Sequence, residues 1–490
     1  MFAKRGFFMT KQELYTLLEQ NAQQFYDAAD AIWDDPELSL SETRTADLYV
    51  SLLEKLGFTV TKGLAGMDTA FSGAFGSGKP VIGILGEYDA LAGLSQQAGA
   101  LRPCPVTEGG CGHGCGHHLL GAGSLAAAWA VKEYLAKQGP GSGTVIFYGC
   151  PGEEGGAGKA FMAREGMFYG LDAALTWHPG TTNEIMTGSY STSMQTEYTF
   201  HGVAAHAAGA PHQGRSALDA VELMNIGVQF LREHIPASDC LHYAITNTGG
   251  ISPNVVQSKA TVLYMVRSCD VPHAKDLLKR VDNIARGAAL MTDTTFTRRF
   301  IDGTANPLPN LALEKVLYEN LCAAPAPVYT QEELDFAGAL NDTCPPDGKL
   351  PGTGAEFDSE IRAQVDTLSH NGTLALNSFV MPFFHTDKQL PGSTDVGDVS
   401  WQTPTAQFNT VTWPALTPGH SWQAVSSGKS SIAHKGMLYA AQVLAAAAVD
   451  LFTQPQLLEA AKAEFAAAAK KGYTCPIEPD AVPVPVAEML

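Results

Sequence analysis

Basic residues are scarce in this chain: 31 Lys and Arg stand against 50 Asp and Glu, a formal net charge of −19 over 490 residues. Such a surface repels a phosphate backbone, and no run of Lys and Arg is dense enough to make a local exception, which excludes nucleic acid as a partner. Uninterrupted apolar runs of about 20 residues, the length a membrane-crossing helix needs, are missing as well, so no membrane partner is expected. The opening MFAKRGFFMTKQELY lacks the apolar stretch and small-residue cleavage site of a secretory signal. Cysteine is sparse and odd in number, nine residues scattered from Cys104 to Cys475 without framework spacing. Together these absences predict a soluble, cytoplasmic protein with reduced thiols. A cysteine with a special role is then expected to bind metal rather than staple the fold.

What is present is apolar material, 45% of residues, enough for more than one core, since single cores stop growing at roughly 250 to 300 residues. Two domains are expected. Residues 11–32 and 43–56 have apolar positions at helical spacing, whereas PVIGILG (80–86), TVIFYG (144–149) and DAALTW (172–177) are short apolar runs stopped by Gly, Pro or polar residues. An Ala-rich helix over about 118–137 lies between the first two runs. This alternation predicts an α/β unit with a buried sheet. From about 191 the rhythm changes to strands near 195–201, 242–248, 260–268 and 295–300 and helices over 215–234 and 272–290. Two helices on a small antiparallel sheet, inserted as a separate α+β domain, is the natural reading. Residues 310–338 read as helical, 341–354 as a loop, 408–413 as a strand and 430–452 as a long helix, and the Pro-rich tail after Cys475 is expected to pack poorly.

Three short polar signals carry chemistry. Cys111-Gly-His113-Gly-Cys115-Gly-His117-His118 places sulfur and nitrogen donors on a Gly-rich turn before a helix, which suits a metal ion but also a structural zinc knuckle or a chance Cys/His-rich loop. Glu153 and Glu154 leave a predicted strand at its carboxyl end, where open α/β sheets place ligands. Adjacent carboxylates cannot both point at one atom, so one would bind metal and the other handle a proton; a solvated acidic turn is the bland alternative. His178 ends the next strand, where a hydrogen-bonded core histidine is the ordinary explanation. Agreement changes the balance: the three signals offer sulfur, oxygen and nitrogen donors to one rim, as catalytic metal centres do.

GEYDAL, GHGCGH, CPGEEGG, TWHPG, HGVAAHAAGAPHQGRSALDAV, GGISPNVV, GSTDVGDVSW and SIAHKGM follow one another along the chain. In this order they resemble the amidohydrolase branch of the dinuclear metallopeptidases, which includes aminoacylases, carboxypeptidase-like enzymes and the plant indole-acetyl-amino-acid hydrolases. The resemblance implies a two-domain α/β fold: a catalytic domain with a central mixed sheet, discontinuous over 1–190 and 306–490, and a lid and dimerisation domain over 191–305. It puts metal ligands at Cys115, His117, Glu154, His178 and His420, the general base at Glu153, and supporting carboxylates at Glu87 and Asp89. His206 matches a lid histidine that reaches the neighbouring subunit's site, and Asn254 and Arg267 match substrate contacts. His118 departs from the Asp or Asn usual after the ligand histidine; it either adds a metal contact or supports the helix N-terminus. Cys111 and His113 match no role.

The implied cofactor is a pair of divalent ions, manganese or zinc, with cobalt also compatible with mixed S, N and O donors. The implied reaction is hydrolysis of the amide bond of a small N-acyl or N-aroyl amino acid, p-aminobenzoyl-glutamate foremost, by a homodimer or a hetero-oligomer with a related subunit. The competing readings are a dipeptidase of aminoacyl-lysine type, a non-catalytic partner subunit, and a structural zinc protein. Glu153 speaks against the non-catalytic subunit, since a structural metal needs no proton carrier, and a closed four-ligand site with one metal and no bound water would mark the structural zinc protein.

Overall fold

The computed structural model describes residues 9–345 and 349–488. Residues 1–8, read above for a targeting signal, and 346–348 of the 341–354 loop lie outside the described residues. The larger of two main sheets has eight strands in the order Thr59–Lys62, Phe71–Ser77, Gly143–Gly149, Val81–Gly86, Ala173–Gly180, Thr405–Val411, Thr182–Met186, Asn377–Val380. Its four central strands, Gly143–Gly149 to Thr405–Val411, are parallel, and antiparallel pairs flank them, so the sheet is mixed. Buried on both faces, three of them, Gly143–Gly149, Val81–Gly86 and the first half of Ala173–Gly180, read as near-continuous apolar runs.

From His117 to Val131 the His117–Gln138 helix is buried all round, beside the Ser431–Thr453 helix in the core, and its last turns carry Lys132, Glu133 and Lys137 to the surface. Ser431–Thr453 is long and apolar enough to cross a membrane, but 83% of its apolar stretch is buried inside the molecule, which makes it a core helix. Glycine sets how closely the first helix approaches the sheet. A Cβ on Gly121 would lie 2.6 Å from the Glu87 carbonyl oxygen, and one on Gly123 would lie 2.9 Å from the Trp177 ring. The start of the helix is thereby held against the loop that follows Val81–Gly86.

The second sheet is antiparallel, in the order Thr295–Thr304, Thr192–His201, Lys259–Ser268, Cys240–Asn247. The helices Ala217–Arg232 and Val271–Thr292 bury Val221, Met224, Val228, Leu277, Leu278 and Val281 in the core beneath it.

Three expectations need correction. The helical span 11–32 is two helices, Lys11–Gln20 and Ala22–Asp34, because the chain breaks at Asn21, whose side-chain amide donates to the Leu17 carbonyl at 2.8 Å. The strands Thr59–Lys62, Phe71–Ser77, Thr182–Met186 and Asn377–Val380 escaped the pattern reading; they lie at the margins of the sheet, and their Gly, Ser and Thr content hides the alternation. The tail after Cys475 packs well. Ile477 and Val484 are buried, the Arg298 guanidinium forks onto Glu478 at 2.7 and 2.9 Å, and Arg164 donates to the Ala481 carbonyl at 2.7 Å. Proline does not prevent packing where Arg164 and Lys275 satisfy the backbone carbonyls.

Candidate metal centre

The four parallel strands deliver their carboxyl ends to one rim. Val81–Gly86 runs into Glu87 and Asp89, Gly143–Gly149 into the turn bearing Glu153 and Glu154, Ala173–Gly180 carries His178, and Thr405–Val411 leads on to His420. The Cys115-Gly116-His117 turn joins them at the N-terminus of the core helix, with Gly116 in the left-handed region at φ +77°. His420 also has positive φ, +56°, a conformation costly for a side chain with a Cβ, and its N–H donates to the Gly114 carbonyl at 3.0 Å.

The donors converge. Cys115, His117 and His178 form one group with ligand atoms within 4.8 Å of one another; Cys115, Glu154 and His420 form a second, and Glu87, His117 and Glu153 a third. Cys115 Sγ lies 3.4 Å from His178 Nε2, and His420 Nε2 lies 3.2 Å from Glu154 Oε1. The ring orientations suit metal binding. His117 Nδ1–H donates to Asp89 Oδ1 at 2.8 Å and His178 Nδ1–H to the Pro179 carbonyl at 2.7 Å, so each ring turns its Nε2 to the centre. His117 Nε2 is buried without a hydrogen-bond partner among the described residues, while Glu154 Oε1, also buried, faces His420 Nε2. Such an orphaned atom costs about 1–3 kcal/mol, a deficit that a cation bound by the Cys115, His117 and His178 group would remove. The residues present therefore fit divalent ions.

The carboxylates around the donors differ in charge preference. Burial, then Glu87, Glu154 and Asp395, push Glu153 well above the ordinary carboxylate range. Glu154 moves the other way: against the upward push of burial, the His420 hydrogen bond and the His117 charge hold it low. The neighbours thus divide as a proton carrier and an anionic ligand would. Asp89, also kept low by His117 against burial, accepts from the Ser39 hydroxyl at 2.7 Å and the Glu154 N–H at 2.9 Å.

The sequence reading missed Lys159. Its ammonium, fully buried, lies 2.7 Å from Glu87 Oε1 and 2.6 Å from Asp395 Oδ1, while its own N–H donates to Asp395 Oδ2 at 2.9 Å. Against burial, Asp395 and Glu87 raise its pKa well above that of an ordinary lysine. A lysine among the buried residues of a short apolar helix, Gly158–Arg164, was the available signal. Glu87 is thereby shared: Oε1 is bound to Lys159 and Oε2 stands 3.3 Å from His117 Nε2.

His118 turns away from the donors and pairs its Nε2 with the Gly428 carbonyl at 3.0 Å, tying the helix start to the segment after Trp422–Ser427. Its ring packs 4.9 Å from His113, which pairs with the Ile32 carbonyl at 3.2 Å; burial pushes both imidazoles to low pKa, His113 to about 4. Both are neutral core residues.

Two cavities meet at His420. One of about 530 Å³ is lined by Cys115, His178, Glu184, Asn409, Trp413 and His420 among others. The other, of about 300 Å³, opens between the two sheets and is lined by Glu153, Glu154, Arg267, Asp302 and His420. Arg267 comes from the second sheet and donates to the Ser393 hydroxyl at 2.9 Å. His206 and Asn254 line neither cavity; they sit together on exposed loops, with Ala207 N–H donating to the Asn254 carbonyl at 3.0 Å.

Comparison with known proteins agrees with this arrangement. The chain is 47% identical to one of the subunits of p-aminobenzoyl-glutamate hydrolase of Escherichia coli (strain K12), over 97% of this chain and 100% of that one. It is 28% identical to Xaa-Arg dipeptidase of Mus musculus, over 92% and 93% of the two chains. The fold matches a crystal structure of a dinuclear metal-binding peptidase of family M20 from Bacillus subtilis, with a TM-score of 0.52, 16% identity and coverage of 89% and 99%. A model of peptidase family M20/M25/M40 matches residues 83–448, the stretch from the Val81–Gly86 strand to the core helix near the C-terminus. With the donors at the strand ends and this match over most of its length, the chain is a metal-dependent amidohydrolase and belongs to the M20/M25/M40 peptidase family.

Proposed function

We propose that the chain hydrolyses N-acyl or N-aroyl amino acids, with p-aminobenzoyl-glutamate, split to p-aminobenzoate and glutamate, as the preferred substrate; this would place it in folate catabolism. The observation that carries the reading is the cavity between the sheets, where Glu153, Glu154 and Arg267 line one space beside His420. The name of the relative at 47% identity supplies the substrate.

Cys115, His117, Glu154, His178 and His420 would hold two divalent ions, zinc, manganese or cobalt. When bound, such ions polarise a carbonyl and lower the pKa of water from 15.7 towards about 7. Glu153 takes the proton of the attacking water and returns it to the leaving nitrogen, a role its place beside the donors of the centre supports. General acid-base work of this kind is worth roughly 10²–10⁴ in rate. Asp89 and the Pro179 carbonyl keep the two imidazoles in the tautomer the site needs. Arg267, oriented by Ser393, grips a carboxylate of the departing amino acid through its forked donors.

His206 and Asn254 are proposed to act in the site of a neighbouring chain, at the oxyanion and the substrate carboxylate; their exposure and distance from both cavities support this. Residues 191–305 would then serve as lid and dimerisation unit and 1–190 with 306–490 as the catalytic unit. The assembly is a homodimer or a hetero-oligomer with a related chain, a reading supported by the relative's being one subunit of its enzyme. Nine free cysteines favour the cytoplasm.

The test is kcat/KM of the metal-loaded protein for p-aminobenzoyl-glutamate, its glutamine analogue and a β-alanyl-lysine dipeptide. Loss of the γ-carboxylate should cost at least tenfold, about 1.4 kcal/mol of transition-state binding. A clear preference for the basic dipeptide rejects the glutamate reading and promotes the dipeptidase, which the Xaa-Arg relative supports.

A further inference from the structure

The two cavities that meet at His420 have different chemical characters. If Glu153 returns the proton to the leaving nitrogen, as proposed above, the departing amino acid lies on the side of Glu153 and Arg267, and the acyl group must lie on the other side. That side is the larger cavity, whose floor is a three-strand face. Asn409 is in register with His178 on one neighbouring strand and with Glu184 on the other, so the three side chains stand in a row on one face of the sheet. The row starts at the metal donors and ends on a carboxylate.

Neutral groups hold that carboxylate. Glu184 Oε1 accepts from the Thr182 hydroxyl at 2.8 Å and Oε2 from the Thr353 N–H at 3.0 Å, which leaves each oxygen a lone pair for a further donor. The cavity's other acidic side chain, Glu356, is exposed and already 3.2 Å from Lys349. Between Glu184 and His178, Asn409 Oδ1 is buried and has no hydrogen-bond partner among the described residues; Trp413 Nε1 and Thr417 Oγ1, on the same cavity, also lack one. Unpaired polar atoms on a cavity wall point to a polar ligand, since leaving them bare is costly.

The span fits an aromatic acyl group. Three adjacent strands separate the backbones of His178 and Glu184 by about 9–10 Å. A para-substituted benzoyl group measures about 6 Å from carbonyl carbon to para nitrogen, and a hydrogen bond adds about 3 Å. We propose that Glu184 is the residue that selects the acyl half of the substrate: with the scissile amide at Cys115, His178 and His420, its carboxylate accepts a hydrogen bond from an N–H donor at the far end of the acyl group. Asn409, midway along the row, offers a second acceptor. An aryl amine and an alkylammonium share this donor chemistry, and the substrate series below separates them. The inference rests on the functional reading above and adds to it a residue for the p-amino group.

The experiment measures kcat/KM of the metal-loaded protein, in its native assembly, for four glutamate amides: p-aminobenzoyl, benzoyl, p-dimethylaminobenzoyl and p-(aminomethyl)benzoyl. The wild type should favour p-aminobenzoyl over benzoyl and dimethylaminobenzoyl, which lack the donor, by at least tenfold, about 1.4 kcal/mol. Glu184→Leu should erase the preference by lowering the p-aminobenzoyl value at least tenfold while moving the benzoyl value less than threefold. A general structural role would lower both alike. Preference for the aminomethyl compound would keep Glu184 as the selector and make its ligand a cation. The wild-type series stands without the variant, so a poorly folding Glu184→Leu leaves the question decidable. Equal rates for benzoyl and p-aminobenzoyl, or a preference that survives Glu184→Leu, overturn the role of Glu184 and leave the functional reading intact; no turnover of any aroyl-glutamate overturns both.

Discussion

Replacing Lys159 by Met should destabilise the chain far more than a surface lysine would. Its ammonium lies 2.7 Å from Glu87 and 2.6 Å from Asp395, and all three side chains are at most 2% exposed. At an effective dielectric of about 20, each contact has a gross attraction of about 6 kcal/mol. Taking three ions out of water costs several kcal/mol apiece, so the assembled cluster adds little net stability. Breaking it is another matter: Lys159→Met leaves two uncompensated carboxylates in the interior, and loss of one partner from a buried ion pair typically costs 3–5 kcal/mol. That is a large share of the 5–15 kcal/mol expected for a folded protein. Urea unfolding in the presence of chelator measures it without the contribution of bound metal, provided the slope with denaturant is unchanged. Adding Asp395→Asn to Lys159→Met should recover a large part of the loss, because one unpaired charge is removed. A single-variant loss below about 1 kcal/mol, or a double variant as damaged as the single, would refute the reasoning.

Glu153→Gln should reduce turnover by at least 10²-fold with metal content nearly unchanged, whereas Glu154→Gln and His178→Ala should lose metal in elemental analysis; equal metal loss in all three would undo the division of labour between neighbouring carboxylates. Fully active wild-type protein should carry close to two divalent ions per active chain, and a single tightly bound ion would contradict that. Mixing inactive Glu153→Gln chains with inactive His206→Ala chains should restore part of the activity through composite sites; no recovery despite demonstrated subunit exchange would confine His206 to its own chain or remove it from catalysis. Asp172 is held below the ordinary aspartate range, against burial, by Lys462, the Val81 N–H and Lys79. Its stabilisation is therefore fully present above the unfolded-state pKa and fades as pH falls through the folded one, so Asp172→Asn should flatten the acid limb of a stability-versus-pH curve measured below about pH 4. An unchanged acid limb would show that Asp172 does not contribute to it.

Much of the centre was legible before folding because its parts are local. Glu153, Glu154 and His178 sit on short motifs at the ends of apolar runs, which a parallel sheet gathers on one rim, and Cys115 and His117 on a Gly-rich turn before a helix, whereas His420 was assigned by the family resemblance alone. Glu153 and Glu154 could be separated into different roles because neighbours in a chain point apart. Lys159 and Glu184 were not legible. Neither belongs to a metal-binding pattern, and each gains meaning from partners far along the chain: Asp395 for Lys159, Asn409 for Glu184.

The sequence alone determined the α/β alternation, the donor chemistry and the strand ends that carry it, since apolar periodicity and side-chain chemistry are properties of short segments. Tertiary structure alone decided which side chains stand beside one another. Strand register aligns His178, Asn409 and Glu184, though more than 200 residues separate the first two in the chain. Register depends on long-range pairing, and a slip of one residue would turn each side chain to the opposite face. For the same reason the Pro-rich tail, which shows no periodicity of its own, became ordered once Arg298, Arg164 and the Ser39 carbonyl were in place to hold it.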